Sequence, residues 1–475
     1  METSREKILS QTEPEQSNRP AQEHAEGLQD PRRRLWASLT VLFGIGMSVL
    51  DASMVNVALP EIAKYLDVSA ASAVWIVNAY GLTLVMLLLP LSSVGERVGF
   101  KRLFRFGLGL FICAAVASSF APSLPVLLLC RVLQGMGGAM IMCLFGALVR
   151  NIYPPKYMAH GIGMNAMMVG VMSVIGPSLG TFILSVSNWH WIFLIALPIG
   201  MVIMFGVKFL PDVSPIKRPF DWVSALLSMT TVGLLIVGID YLSRYPLQSI
   251  GVIALGLAIG VVLVRRSYQQ TAPLVPVDLL QIPAMRYAIA ASFFTFCAQM
   301  ATFVSLPFYL QQVLHRPLSS VGMLMAGWPL GAAGIAMVAG RLSNRFPVAA
   351  LCGIGAGAMA AGLLFIVLAP ESFSDYWLLS AMILCGIGFG FFQTPNNRVI
   401  IGSAPRHRAG ALGGLQSTTR VFGQTFGAAM VASAFSLSVA VGPTLGLTVG
   451  VVFASLAVLV NVIRHRQAGV SRTGG

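Results

Sequence analysis

Apolar residues along this chain come in runs of about 20 between short polar turns, the length a helix needs to cross a bilayer core of about 30 Å. Lipid cannot hydrogen-bond a free peptide group, so each run is expected to close its own backbone bonds as a helix. The pattern predicts fourteen spans. They run from Leu35 to Leu59, Ser72 to Val94, Leu103 to Phe120, Val126 to Val149, Gly161 to Val186, Trp191 to Leu210 and Trp222 to Tyr241. The remainder run from Ile250 to Val264, Tyr287 to Leu310, Val321 to Gly340, Val348 to Leu368, Tyr376 to Val399, Ala411 to Leu437 and Thr444 to Ile463.

The basic residues orient these spans. With the N-terminus inside, only Lys64, Arg244 and Arg316 of the 31 Lys and Arg lie outside, Arg131 and Arg420 fall within spans, and the others face the cytoplasm. Both termini are therefore expected to be cytoplasmic, and an odd span count would put Arg464 and Arg466 on the wrong side. The formal charge of +14 is thus an orientation signal with some attraction to anionic lipid, and no nucleic-acid partner is expected.

Composition agrees with a polytopic membrane protein: 56% of residues are hydrophobic and only 10% charged, which excludes a water-soluble fold. The polar stretch 1–34 ends in Arg32, Arg33 and Arg34 without a preceding apolar core, and is expected to be a disordered tail rather than a signal peptide. Cys113, Cys130, Cys143, Cys297, Cys352 and Cys385 all fall in apolar stretches at spacings that match no metal pattern, so they are expected to be packing residues; no metal or cofactor is implied. The six histidines lie in loops or at span ends, which argues against a buried histidine relay.

Against this background the ionisable residues inside spans stand out: Asp51, Arg131 and Arg420. By helical rise Asp51 lies roughly 24 Å from the inner start of its span and Arg131 roughly 8 Å from the outer start of its own, so the two are at similar depth. In a low dielectric a solitary carboxyl group favours its neutral form and one beside a guanidinium its anion, so a change of distance or hydration moves a proton. The plainer reading is an ion pair that only joins two helices. Arg420 lies nearer the cytoplasm, where binding helix-end carbonyls is its alternative role.

Gly176, Pro177 and Gly180 would bend the fifth span and let another backbone approach its outer half, sealing that end when a cavity faces inward; ordinary packing also uses such residues. Trp75, Asn78, Tyr80, Gln134, Asn165, Phe296, Gln299, Trp328, Gln393, Asn396 and Arg420 are candidates to line a central cavity. Aromatic faces and one carboxylate would suit an amphipathic, cationic ligand. A short repeat relates the turn Ser92–Val98 after the second span to Gly340–Phe346 after the tenth, as expected of two six-helix halves with spans seven and eight inserted between them.

Several motifs carry a resemblance to the major facilitator superfamily, and within it to the fourteen-span drug/proton antiporters. They are the run Leu50 to Pro60 with Asp51; the turn Gly95, Glu96, Arg97, Val98, Gly99, Phe100, Lys101, Arg102; Arg131, Gln134, Gly135, Gly137 and Gly138; and Gly170, Gly176, Pro177 and Gly180. In the turn, Ser92, Glu96 and Phe100 depart from the family's usual Gly, Asp and basic residue. The resemblance implies an all-α major facilitator fold: a tail 1–34, an N-terminal bundle 35–210, an inserted pair 211–284, a C-terminal bundle 285–463 and a tail 464–475. It further implies proton coupling at Asp51 and Arg131, a cytoplasmic gate at Gly95, Glu96, Arg97, Gly99, Lys101 and Arg102, and an antiporter motif in the fifth span.

The implied function is proton-coupled export of amphipathic, cationic drugs or toxic compounds through a bacterial inner membrane, by a monomer working with protons and lipid. Two alternatives are export of one endogenous metabolite, siderophore or lipid-like molecule, and a non-transporting sensor on the same scaffold. A membrane enzyme is not expected, because a lone Asp51 supplies neither a carboxylate pair nor a nucleophile with its base.

Overall fold

The computed structural model describes residues 27–154, 157–213, 220–242, 245–270, 277–370, 373–402, 409–438 and 441–473, and among them every regular element is helical. The N-terminal half holds α1 (Pro31–Tyr65), α2 (Ala70–Val98), α3 (Phe100–Ser119), α4 (Leu124–Met142), α5 (Phe145–Ile152), α6 (Met158–Val186), α7 (His190–Leu194) and α8 (Ala196–Gly206). A hairpin of α9 (Trp222–Asp240) and α10 (Pro246–Tyr268) follows. The C-terminal half holds α11 (Pro283–Phe308), α12 (Leu318–Leu342), α13 (Val348–Val367), α14 (Asp375–Gly402), α15 (Ala409–Leu437) and α16 (Gly442–Thr473).

Among the described residues, twelve helices or joined helix pairs are long and apolar enough to cross a membrane. The joined pairs are α4 with α5 and α7 with α8, each one apolar column with a local break, where the sequence pattern predicts a single uninterrupted span. α3 and α15 stand outside the twelve; α3 opens with Lys101, Arg102 and Arg105, and α15 carries Gln416, Arg420 and Gln424.

Helix ends differ from the expected boundaries where local chemistry extends them. Asp30 caps α1 by accepting from the Arg32 amide at 2.9 Å, and Pro31 occupies the first turn, where its missing N–H costs nothing. Residues 31–34 therefore belong to the helix rather than to the expected tail, whose residues 1–26 lie outside those described. At the other end α16 continues to Thr473, so 464–473 extend the last helix instead of leaving it.

The same pairings recur in both halves: α2 on α4 matches α12 on α14, α3 on α4 matches α13 on α14, and α1 on α6 matches α11 on α15. This is the packing expected of two homologous bundles, and it gives the short sequence repeat a structural counterpart. The halves meet where α2 packs on α15 and α6 on α12. The α9–α10 hairpin lies beside that seam, with α9 against α2 and α15.

Burial ranks the helices by position. The apolar window of α1 is 83% buried and that of α10 only 17%, so α1 is central and α10 peripheral. Leu247, Ile250, Leu255, Leu257, Val261 and Val262 on α10 are exposed, an apolar surface that lipid covers. Two polar clasps hold the hairpin. Trp75 on α2 donates its indole N–H to Asp240 at 2.8 Å, and Asp221 caps α9 while accepting from Arg266 at 3.2 Å and Gln270 at 2.7 Å on or just after α10. Partial burial pushes the Asp221 carboxyl up, but the hydrogen bonds from Ser224, Gln270 and Arg266 outweigh it and hold the group well below the usual carboxylate range.

All six cysteines are free. Cys130, Cys297, Cys352 and Cys385 are buried and Cys143 half-buried, as packing residues would be, whereas Cys113 is exposed on α3.

Candidate functional site

Asp51 projects from α1 into a junction with α2 and α4. Arg131 and Gln134 are three residues apart on α4, which places them on one helix face where both reach the same carboxylate. Arg131 Nη1 donates to Asp51 Oδ2 at 2.7 Å and to Gln134 Oε1 at 2.7 Å, while Gln134 Nε2 donates to Asp51 Oδ1 at 2.9 Å. Arg131 Nε donates to the Ile76 carbonyl on α2 at 3.0 Å, and the guanidinium lies 4.4 Å from the Tyr80 ring centroid and 5.7 Å from that of Phe193. Nη2 alone has no hydrogen-bond partner.

The triad is almost sealed: Asp51 is 2% exposed, Arg131 and Gln134 0%. It adjoins a cavity of about 670 Å³ between the two halves. Arg131 and Asn56 line the deep end, and the wall runs on to Arg150, Asn397 and Gln416 at the end of the molecule that also carries the Arg97–Arg102 turn. The opposite end is closed by close helix contact. A Cβ on Gly176 would lie 2.3 Å from that of Ser53, so only glycine lets α6 lie this close to α1. A Cβ on Gly322 would lie 2.1 Å from the Thr181 hydroxyl, itself held by the Pro177 and Ser178 carbonyls at 3.0 Å, so α6 and α12 also touch across the seam. Gly176 and Gly180 lie at this close contact of α6 with α1, whereas Gly170 lines the cavity.

Of the residues expected in the wall, Tyr80, Asn165, Phe296, Gln299, Trp328, Gln393 and Arg420 are there. Four are not, because their helix faces turn away from the cavity. Gln134 lies behind the wall in the triad, and Trp75 faces the hairpin through its bond to Asp240. Asn78 is fully buried off the cavity. Asn396 donates to the Ala288 carbonyl at 3.0 Å and to Ser292 Oγ at 2.8 Å, and accepts from Arg464 at 3.0 Å, tying α14 to α11 and α16.

The structure also adds wall residues: Phe303, Phe389, Arg150, Gln416 and Gln424. A helical count would have found several, since Gln416, Arg420 and Gln424 recur every four residues on one face of α15, and Phe389 stands four before Gln393 on α14. Gln424 donates to Gln299 at 3.3 Å and Gln416 to Asn397 at 2.5 Å, whereas half-buried Arg420 has neither a hydrogen-bond nor an ion-pair partner among the described residues. Asp51 is absent from the wall, which removes the carboxylate on which the expectation of a cationic ligand rested.

The expected gate lies across the end of α2 and the start of α3. Arg97 bonds back to Ser93, with Oγ at 2.6 Å, and sits 5.1 Å from the Phe220 ring centroid; Lys101 donates to the Lys208 carbonyl at 3.4 Å. Gly99 makes the turn at φ +98°, and exposed Glu96 has no ion-pair partner among the described residues. Arg102 lies in the first turn of α3. The described contacts of this turn stay within the N-terminal half and the segment leading to the hairpin, which fits a cavity that reaches this end of the molecule.

Comparison with known proteins agrees with this architecture. The sequence model of the Major Facilitator Superfamily matches residues 41–428. The chain is 41% identical over 450 residues to the "Uncharacterized transporter YebQ" of Escherichia coli K12, covering 93% of this chain and 98% of that one. It is 28% identical to the "Riboflavin transporter RibZ" of Clostridioides difficile, covering 86% and 89%. It is also 28% identical to the "Multidrug efflux pump LfrA" of Mycolicibacterium smegmatis, covering 85% and 81%.

Proposed function

The chain belongs to the Major Facilitator Superfamily, and from that membership we propose that it is a proton-coupled antiporter that exports amphipathic small molecules by alternating access. It is a multi-pass transporter of the inner membrane and not an enzyme. In the proposed topology α3 and α15 join the twelve apolar columns as further spans, giving fourteen with both termini cytoplasmic. The bundles 35–210 and 285–463 rock about the seam, the pair within 211–284 rides beside it, and the unit is a monomer.

The observation that carries the reading is the sealed Asp51–Arg131–Gln134 triad at the deep end of the cavity. The cavity reaches the basic end while the Gly176 seam closes the other, so this is an inward-open state with the ion pair made, as expected after a proton has left. In the outward-open state water reaches the triad from outside, a local shift of α1 against α4 within the N-terminal bundle separates the pair, and Asp51 takes a proton. Return to the inward state reforms the pair and expels that proton. The Gly95–Arg102 turn closes the inner end in the outward state. Each proton entering down the membrane potential supplies about 2.3 kcal/mol per 100 mV.

Likeness to a pump named for multidrug efflux supports a broad substrate range. A second reading, export of one metabolite, draws support from the comparable likeness to a riboflavin transporter and from the amides in the wall. Efflux from cells of a panel of amphipathic compounds, with and without a protonophore, tests the proposal. Protonophore-sensitive efflux of several compounds is expected; efflux unaffected by the protonophore would reject proton coupling, and export of a single compound would favour the second reading.

A further inference from the structure

We propose that the exported compound is an amphipathic aromatic anion whose charge is met by Arg420, an inference that rests on the export reading above and narrows its substrate. The charged residues of the wall, among those described, are Arg131, Arg150 and Arg420, with no carboxylate. Asp51 offsets Arg131 at 2.7 Å, and Arg150 sits exposed at the mouth, where water screens it. Arg420 remains: half-buried at the seam between the halves and without an ion-pair or hydrogen-bond partner among the described residues.

An arginine does not shed its proton, and an uncompensated cation inside a membrane protein is costly, so the site favours an arriving anion and repels an arriving cation. Gln416 and Gln424 lie one helical turn to either side of Arg420 and supply neutral hydrogen-bonding groups for the same ligand. Phe296, Phe303, Trp328 and Phe389 pack edge to face or tilted in the wall of the same cavity and form an aromatic surface for the apolar body. The volume of about 670 Å³ suits a drug-sized molecule.

This charge has a consequence for energetics. Exchange of one entering proton for one departing monoanion moves two charges in the same sense, so the membrane potential drives it; exchange of a proton for a monovalent cation moves none.

The test uses the purified full chain in proteoliposomes, with radiolabelled naphthalene sulfonate, naphthoate and tetraphenylphosphonium as probes. An acidic interior is expected to drive uptake of the two anions, a potential positive inside to accelerate it, and tetraphenylphosphonium not to be carried. Arg420→Gln should weaken the apparent affinity for the anions about tenfold, and Arg420→Lys, which keeps the charge, should retain most of it. Uptake of tetraphenylphosphonium without uptake of either anion would overturn the inference and leave proton-coupled export standing. Anion uptake that ignores the proton gradient yet falls in Arg420→Gln would keep the anion and overturn the antiport reading. Undiminished anion affinity in Arg420→Gln, or no transport of either anion, would also overturn the assignment of the anion to Arg420.

Discussion

One guanidinium ties three helices together: Arg131 on α4 reaches Asp51 on α1 and the Ile76 carbonyl on α2, with Gln134 closing the ring of bonds. Removing one member of a buried pair leaves an unmatched charge, so Arg131→Ala should cost about 3–5 kcal/mol in stability, read as a lower unfolding temperature in detergent. The double variant Asp51→Asn with Arg131→Gln should recover much of that loss and stay uncoupled, which separates the structural part of the pair from its proton-carrying part. Gln134→Ala should be milder, about 1–3 kcal/mol, because it strands hydrogen-bonding groups rather than a charge. Asp51 and Arg131 were legible in the sequence because charges inside apolar runs are costly and stand out. Gln134, Trp75, Asn78 and Asn396 were misplaced because a polar residue in a span says nothing of its helix's rotation, and each is turned toward a neighbouring helix or away from the cavity.

At the scale of elements, α9 and α10 test whether the hairpin is an accessory. Asp221→Asn weakens the clasp to Arg266 and Gln270 and should loosen the hairpin, seen as faster proteolysis near residue 221, while leaving transport near normal. The sign follows from the lowered pKa of Asp221: its contribution is complete above the unfolded carboxylate value of about 4 and is lost as pH falls toward the folded value, so a clasp that loosens only above neutral pH would contradict it. Helix existence was legible from run length alone. The breaks near Cys143 and Ile195 and the extension of α16 to Thr473 were not, since apolar runs mark what lies in lipid and not where a helix pauses or protrudes.

For the molecule as a whole, the proposed inward-open state joins the closed seam at one end to the cavity at the other. Gly322→Val places methyl groups where the Thr181 hydroxyl now sits, and Gly176→Val does the same against Ser53. Both should hold the outer end apart, raise labelling of outer-half cysteines introduced near Thr181 by membrane-impermeant reagents, and cut transport at least about tenfold; unchanged labelling would mean that the seam is not a gate. The two-bundle plan was foreshadowed by the Ser92–Val98 and Gly340–Phe346 turns, but only the recurring helix pairings make the halves equivalent in space.

The most direct test of the account follows protons in energised everted vesicles, where addition of exported compounds should release part of the stored gradient in the wild type. With Asp51→Asn at equal expression, the account predicts that no compound in an amphipathic panel releases protons. Compound-driven proton release persisting at the wild-type level in that variant would contradict it.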